Sequence, residues 1–324
     1  MDNRASVTQL TANLRTAINA LYPANVNTIM SNFSIHNMVS GNGGSSGFGI
    51  ESMLDIQAVK SLVPGATVQL VLASSAYSSS LLSAITYAVN TFGANIVSMS
   101  FGTSSPDTTF NSFINSHPNV LFVASSGDTF GQVNWPAALP NCIGVGVTTL
   151  TGINPLVETV WRNNSNGNGS GGGMATTGVN VQQKIYLGLG GTNPNHLNTS
   201  FRYSPDVSLD ANPVTGFPVL LTNIDGYGSG TYLVGGTSLS APILVSFLAL
   251  VNSNRITNHK SVLTQTQFFN TLYHNPPNFT TGVNAEFYDL TGSIGVNTTN
   301  VVPYSTIVGM RSPLYHFFTA LMAL

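Results

Sequence analysis

The sequence predicts an α/β protein: a parallel, doubly wound sheet with helices on both faces. Three observations carry this expectation. Short, continuous apolar runs occur at 67–73, 95–100, 120–125 and 143–147, as strands buried on both faces require. Segments of helical period lie between them, the alternation that builds parallel βαβ units. The 324 residues are 42 % hydrophobic, enough to cover such a sheet with helices. No internal repeat or linker divides the chain, so a single domain spanning 1–324 is expected.

Taken in order, Leu10, Leu14, Ile18 and Leu21 recur at helical spacing, and Pro23 closes that first helix. A Gly/Ser-rich stretch, 41–49, leads into a second helix at 50–63, stopped by Pro64 and Gly65. The strand at 67–73 precedes a helix at 81–92 ended by Gly93, and the strand at 95–100 follows. A helix at 108–116 and strands at 120–125 and 143–147 complete the regular part. Beyond Leu150 the pattern weakens. Residues 163–173, rich in Asn and Gly, read as a flexible surface loop. The apolar run Ile243, Leu244, Val245, Phe247, Leu248, Leu250 and Val251 reads as a buried helix, and 264–274 as another; the remainder reads as irregular.

Charged residues make up 6 % of the chain, against roughly 25 % in an average soluble protein. A polar surface built from Ser, Thr, Asn and Gln suits acid, because ion pairs vanish once carboxylates protonate. An extracellular or acidic location is the expectation, although no signal peptide follows Met1. Net charge is −2 and the nine Lys and Arg are scattered, which argues against nucleic acid. The apolar tail 314–324 is too short to span a bilayer. Cys142, alone, excludes an internal disulfide or multi-Cys zinc site and reads as buried filler.

Ligands in such sheets sit beyond the carboxyl ends of the strands, and three stretches fit: Ser100-Phe101-Gly102, Ser126-Gly127-Asp128 and the loop around Pro136. Only eleven carboxylates exist. Glu51 and Asp55 lie four apart, on one helix face, with no cation to relieve their repulsion. Such a pair can share a proton; the plainer alternatives are a solvated face or a first-turn dipole effect. Asp128 is either an Asx-turn residue or a neutral acid donating a hydrogen bond. In Gly235-Gly236-Thr237-Ser238 the serine stands at the mouth of the apolar helix, beside free N–H groups. It is either a nucleophile or, with Thr237, an N-cap.

In order along the chain, these stretches resemble the sedolisin family, serine-carboxyl peptidases related in fold to subtilisin. Glu51-x-x-x-Asp55-Ile56-Gln57 resembles its base-bearing helix, Ser126-Gly127-Asp128 its oxyanion segment, and Gly236-Thr237-Ser238-x-x-x-Pro242 its nucleophile motif. Trp135-Pro136-Ala137-Ala138, Gly146-Val147-Thr148-Thr149-Leu150, Ser170-Gly171-Gly172-Gly173 and Pro205-Asp206-Val207-Ser208 also match. The resemblance runs from about Gly49 to Val251. Residues 1–48 match poorly: neither a pro-domain nor the family's Gly/Val/Ile-rich first strand is apparent there.

The resemblance implies a peptidase acting in acid on a peptide or protein substrate. Ser238 would be the nucleophile, Glu51 the base, Asp55 its partner and Asp128 the oxyanion donor, with Ser100, Phe101, Gly102, Ser126 and Gly127 binding substrate. It also implies a calcium site. Asp289-Leu290 resembles the first part, but Gly309-Met310-Arg311 puts a cation where the second acid belongs, which weakens a hard-cation site. Thr129 replaces a smaller residue, a mild change. A monomer without nucleic-acid or membrane partners is expected. The competing readings are a subtilisin-type hydrolase, for which His36 is the candidate histidine, and an inactive relative that binds or supports other proteins.

Overall fold

The computed structural model describes residues 6–38, 48–153, 156–188, 197–274 and 304–324. The chain opens with α1 (Val7–Leu21), α2 (Val26–Ser31) and β1 (Phe33–Asn37), then α3 (Gly49–Leu62), β2 (Val68–Leu72) and α4 (Ser78–Phe92). Next come β3 (Ile96–Met99), α5 (Asn111–Ser116), β4 (Leu121–Ser125), β5 (Ile143–Ile153) and β6 (Leu156–Val160). The second half holds β7 (Gly173–Ala175), α6 (Val181–Gly188), β8 (Arg202–Ser204), β9 (Val207–Asp210), β10 (Phe217–Leu221) and β11 (Gly230–Val234). It closes with α7 (Thr237–Thr257), α8 (Gln265–Leu272) and α9 (Tyr315–Ala323).

β3, β4, β5 and β9 run parallel, in the spatial order β3-β4-β5-β9, and β6 adds antiparallel to the far end of β5. Successive residues of β4 go to opposite faces. Leu121 and Val123 pack with Leu244, Leu248 and Val251 of α7, while Phe122 and Ala124 pack with Ile85 and Val89 of α4 and Ile114 of α5. Both faces are apolar because both are covered, which is why the strand reads as a continuous apolar run. α7 is long and apolar enough to cross a membrane, but Ala241, Leu244, Leu248 and Val251 make the core of this layer, while Phe247 and Leu250, expected to be buried, are exposed. A third cluster joins α1, α3, β10 and the β1–β2 pair.

The α/β architecture follows the expectation; several details differ. β1 and β2 form a separate parallel pair with no hydrogen bonds to β3. The 163–173 loop is only half a surface loop. Residues 163–168 are exposed, whereas 169–172 are buried, because Gly171 N–H donates to the Gly127 carbonyl at 2.7 Å and its Cα lies against Ser126. The helix expected at 108–116 begins only at Asn111. The irregular C-terminal end contains α9, whose Phe318 stacks on Phe247 at 4.9 Å. Cys142 is fully buried, and burial pushes its thiol well above the usual range.

Candidate active site

The site is assembled around α3, a helix wrapped on nearly all sides. It packs on α7, α1 and β10, so its apolar residues are not confined to one stripe. Its orientation is fixed at three points. At the start, the Ile50 N–H donates to the Asp225 carboxylate at 2.9 Å, an acid on the positive end of the helix. In the middle, the Gln57 amide donates to the Leu220 carbonyl at 2.8 Å and accepts from the Leu220 N–H at 2.9 Å. At the end, the fully buried Lys60 ammonium donates to the carbonyls of Ile29, Asn32 and Ala66 at 3.2, 3.1 and 2.6 Å. Burial lowers its pKa to about 8.

Between these anchors α3 carries Glu51 and Asp55. Burial raises the Glu51 pKa from 4.5 to about 7; a hydrogen bond with Ser238 opposes the rise and the charge of Asp128 adds to it. One oxygen of Glu51, Oε1, is buried without a partner. Asp55 is pushed well above the usual carboxylate range, first by burial and then by the Glu51 charge, against a hydrogen bond from Ser100. The two acids are close enough for each charge to oppose the ionisation of the other.

Ser238 enters from α7. The helix starts at Gly236, whose φ of 103° is open to glycine, and a Cβ there would stand 2.6 Å from Asp128 Oδ2. That glycine lets the chain turn into α7 and Asp128 approach it. Ser238 is the second residue of the helix, so its N–H has no intrahelical acceptor. Pro242 lacks an N–H, which leaves the Ser238 carbonyl free. Ser100 Oγ lies 3.3 Å from that carbonyl and 2.8 Å from Asp55 Oδ1, tying the acid pair to the start of α7.

Asp128 follows β4. Its Oδ1 accepts the Thr237 N–H at 2.7 Å and the Thr237 hydroxyl at 2.8 Å, and that hydroxyl accepts the Gly127 N–H at 3.0 Å. With Oδ1 occupied as an acceptor, Oδ2 is the oxygen available to carry a proton. The turn is backed by Gly169, whose N–H donates to the Asp128 carbonyl at 2.9 Å, and by Asn134, which donates to the Ser126 carbonyl at 3.1 Å.

Glu51, Asp55, Ser238 and Asp128 thus converge, although they span 187 positions of the chain. Ser126, Gly127, Ser100, Phe101 and Gly102 lie at the carboxyl ends of adjacent strands beside them. The Ser100 hydroxyl is engaged within the protein, by Asp55 and the Ser238 carbonyl. The Ser126 hydroxyl is likewise committed, donating to the Gly171 carbonyl at 3.0 Å. Sequence reasoning missed Thr237 as the orienting partner of Asp128 and Asp225 as the cap of α3. Neither leaves a specific signal in the sequence: Thr237 is one hydroxyl beside a serine, and Asp225-Gly226 reads only as a turn. His36 lies on β1, 2.6 Å from Gln69 and against the Phe92 ring, so the histidine-dependent alternative loses its candidate.

Asp289 and Leu290 fall outside the described residues. Arg311 is fully buried, with a φ of 79°, and no group of three metal-ligating side chains occurs among the described residues. A buried guanidinium in place of a carboxylate does not fit a hard cation, and no step is derived through one.

The subtilase family model matches residues 17–287. Kumamolisin of Bacillus sp. (strain MN-32) is 30 % identical over 233 residues, 62 % of this chain and 39 % of that protein. Sedolisin of Pseudomonas sp. (strain 101) is 28 % identical over 232 residues, 62 % of this chain and 38 % of that one. The chain therefore spans about two fifths of the length of these curated relatives. Among solved structures, Pseudomonas sedolisin, a serine-carboxyl proteinase complexed with pseudo-iodotyrostatin, superposes with a TM-score of 0.72 at 23 % identity, covering 99 % of this chain and 90 % of that one. A mutant of the protease domain of PatA gives 0.55 at 14 %, covering 90 % and 88 %. These two likenesses show a shared fold, and the family match gives the conclusion: the chain belongs to the subtilase family, with similarity to sedolisin and kumamolisin within it.

Proposed function

We propose that this chain is a serine-carboxyl peptidase that hydrolyses peptide bonds through an acyl-enzyme on Ser238. The observation that carries the reading is the contact of the Ser238 hydroxyl with Glu51, a carboxylate raised to about 7 beside a second buried acid. Ser238 Oγ attacks the scissile carbonyl while Glu51 takes its proton; Asp55 holds the shared proton that orients Glu51. The oxyanion forms between the Ser238 N–H and a protonated Asp128 Oδ2. Collapse of this intermediate breaks the C–N bond, and the leaving amine takes the proton from Glu51. Water, activated by the same carboxylate, then releases the acid product and restores Ser238.

The base must lose a proton and Asp128 must keep one, so the rate has a bell-shaped dependence on pH. Glu51, raised to about 7, sets the limb on which activity rises with pH. A second reading, an inactive relative that binds other polypeptides, draws support from the interrupted sheet beside the acid pair. Cleavage of an unfolded protein substrate by the wild type and by Ser238→Ala separates the two. The peptidase reading predicts a loss of about 10³-fold or more; equal cleavage, or none by either, contradicts it.

A further inference from the structure

Three short segments run antiparallel beside the start of α7. Thr129 stands opposite Asn168, and Gly169 opposite Arg162. Two hydrogen bonds hold the first pairing: the Gly169 N–H donates to the Asp128 carbonyl at 2.9 Å and the Phe130 N–H to the Gly167 carbonyl at 3.0 Å. Two more hold the second, from the Asn163 N–H to the Asn168 carbonyl at 2.7 Å and from the Ser170 N–H to the Trp161 carbonyl at 3.1 Å. Side chains alternate between the faces of such a ribbon. Thr129 and Asn168 therefore share one face, and Asp128, Phe130, Gly169 and Arg162 share the other. Asp128, Gly169 and Arg162 stand in one row, so two strand spacings, about 10 Å, separate the backbone of the acid from that of the arginine.

Gly169 leaves a gap in the middle of that row, and the Phe130 ring fills it: a Cβ on Gly169 would stand 2.9 Å from Phe130 Cδ2. The Arg162 guanidinium lies over the same ring, 4.4 Å from its centroid, a contact that holds the cation in place. Arg162 is exposed and Phe130 half-buried. The chain has nine Lys and Arg; Lys60, Arg202, Arg255 and Arg311 are buried, whereas Arg162 is in no ion pair among the described residues. Asp128 and Arg162 are the charged residues of the ribbon. A guanidinium keeps its charge throughout the acid range in which a carboxyl base and a carboxyl donor work.

We propose that Phe130 and Arg162 form a binding site for a substrate carboxylate next to the scissile bond. The inference rests on the peptidase reading for the position of that bond. The row spans the distance a side chain covers from the carbonyl that Asp128 binds, and the protonated Asp128 of the mechanism does not repel an anion. The ring supports the carbon stem while the guanidinium donates two N–H groups to the carboxylate. A Lys or Arg side chain meets a like charge at the same place. An Asp or Glu side chain and the free C-terminus of a peptide present the same two oxygens, so either source fits this chemistry.

The test uses the 324-residue protein and ten-residue peptides of Ala, Ser and Leu. One set is acetylated and amidated and carries a single Glu moved along the chain, with matched Gln peptides. A second set has no acidic side chain and ends in a free or an amidated C-terminus. At pH 6 the wild type is expected to favour Glu over Gln in kcat/KM by about three- to tenfold at one of the two positions flanking the cleaved bond. If the C-terminus is the source, the same preference separates free from amidated peptides cut next to their last residue. In both cases the ratio falls to about one in Arg162→Gln. Binding to Ser238→Ala, which needs no cleavage, is expected to show the ratio at pH 6 and to lose it at pH 3, below the carboxyl pKa of about 4.3. A ratio near one in both sets, or a preference that survives Arg162→Gln or pH 3, would overturn the proposal. Cleavage without the preference removes this site and leaves the peptidase reading standing; a preference in binding without cleavage keeps the site and removes the reaction.

Discussion

At the scale of single residues, the site rests on Asp128 and the two residues that let it reach the serine. Thr237 commits Oδ1 through two hydrogen bonds, so the chemistry asked of Oδ2 depends on a proton. An amide supplies that donor without titrating. Asp128→Asn is therefore expected to retain measurable activity and to move the alkaline limb of the pH–rate profile upward; an unmoved limb would remove Asp128 from the oxyanion role. Gly236→Ala adds a Cβ 2.6 Å from Asp128 Oδ2 at a φ of 103°. Strain of this kind costs about 1–3 kcal/mol, and the variant should lose both stability and activity; a variant that denatures like the wild type would contradict the close approach. The acids themselves were legible in the sequence, because a protein with eleven carboxylates has few to spare. Thr237 was not, since a hydroxyl beside a serine carries no spacing signal of its own. The strand end that carries Ser100 is the usual ligand side, and the hydrogen bond of its hydroxyl to Asp55 depends on where the fold sets α3, which the sequence does not show.

At the scale of elements, α3 carries the acids and is held by its neighbours more than by its own helix signals. It begins at Phe48 with no side-chain cap of its own, and the cap comes instead from Asp225, 175 positions away. Such long-range partners leave no trace in a local reading. Gln57 binds both the N–H and the carbonyl of Leu220, 163 positions away. Gln57→Ala removes both bonds to the half-buried Leu220 backbone and should cost on the order of 1–3 kcal/mol in denaturant unfolding, with a lowered kcat as α3 loosens. Unchanged stability would show that β10 does not position the helix. The strands between covered faces, β2, β3 and β4, were readable as apolar runs. β1 was not, because Ser34, His36 and Asn37 interrupt its apolar residues, and β10 and β11 form a short two-stranded pair whose pattern gives no long run. The break between β2 and β3 is a property of pairing, which composition does not encode.

At the scale of the whole molecule, the proton balance runs opposite to that of most proteins. Burial raises the pKa of Glu51, Asp55, Glu158 and Asp210, while Asp107 is lowered by its hydrogen bonds. Where the folded pKa is the higher one, the folded state binds the extra proton. Stability is then greatest at or below the unfolded pKa and falls as pH rises towards the folded value. For Glu51 the window runs from 4.5 to about 7, and its contribution alone is on the order of 3 kcal/mol. The thermal midpoint should therefore be higher near pH 5 than near pH 7.5 at equal ionic strength; a higher midpoint at the neutral value would contradict the burial of these acids. The low charge seen in the sequence pointed the same way, but only the fold shows which carboxyls are buried. The same long-range assembly brings Glu51 and Asp55 from α3, Asp128 from the end of β4 and Ser238 from α7 to one spot. Its most direct test is covalent labelling of Ser238 by a fluorophosphonate as a function of pH, in the wild type and in Glu51→Gln. The account predicts labelling of Ser238 alone, rising with the ionisation of Glu51 near 7 and lost in Glu51→Gln while the fold persists; labelling that ignores both pH and the substitution would contradict it.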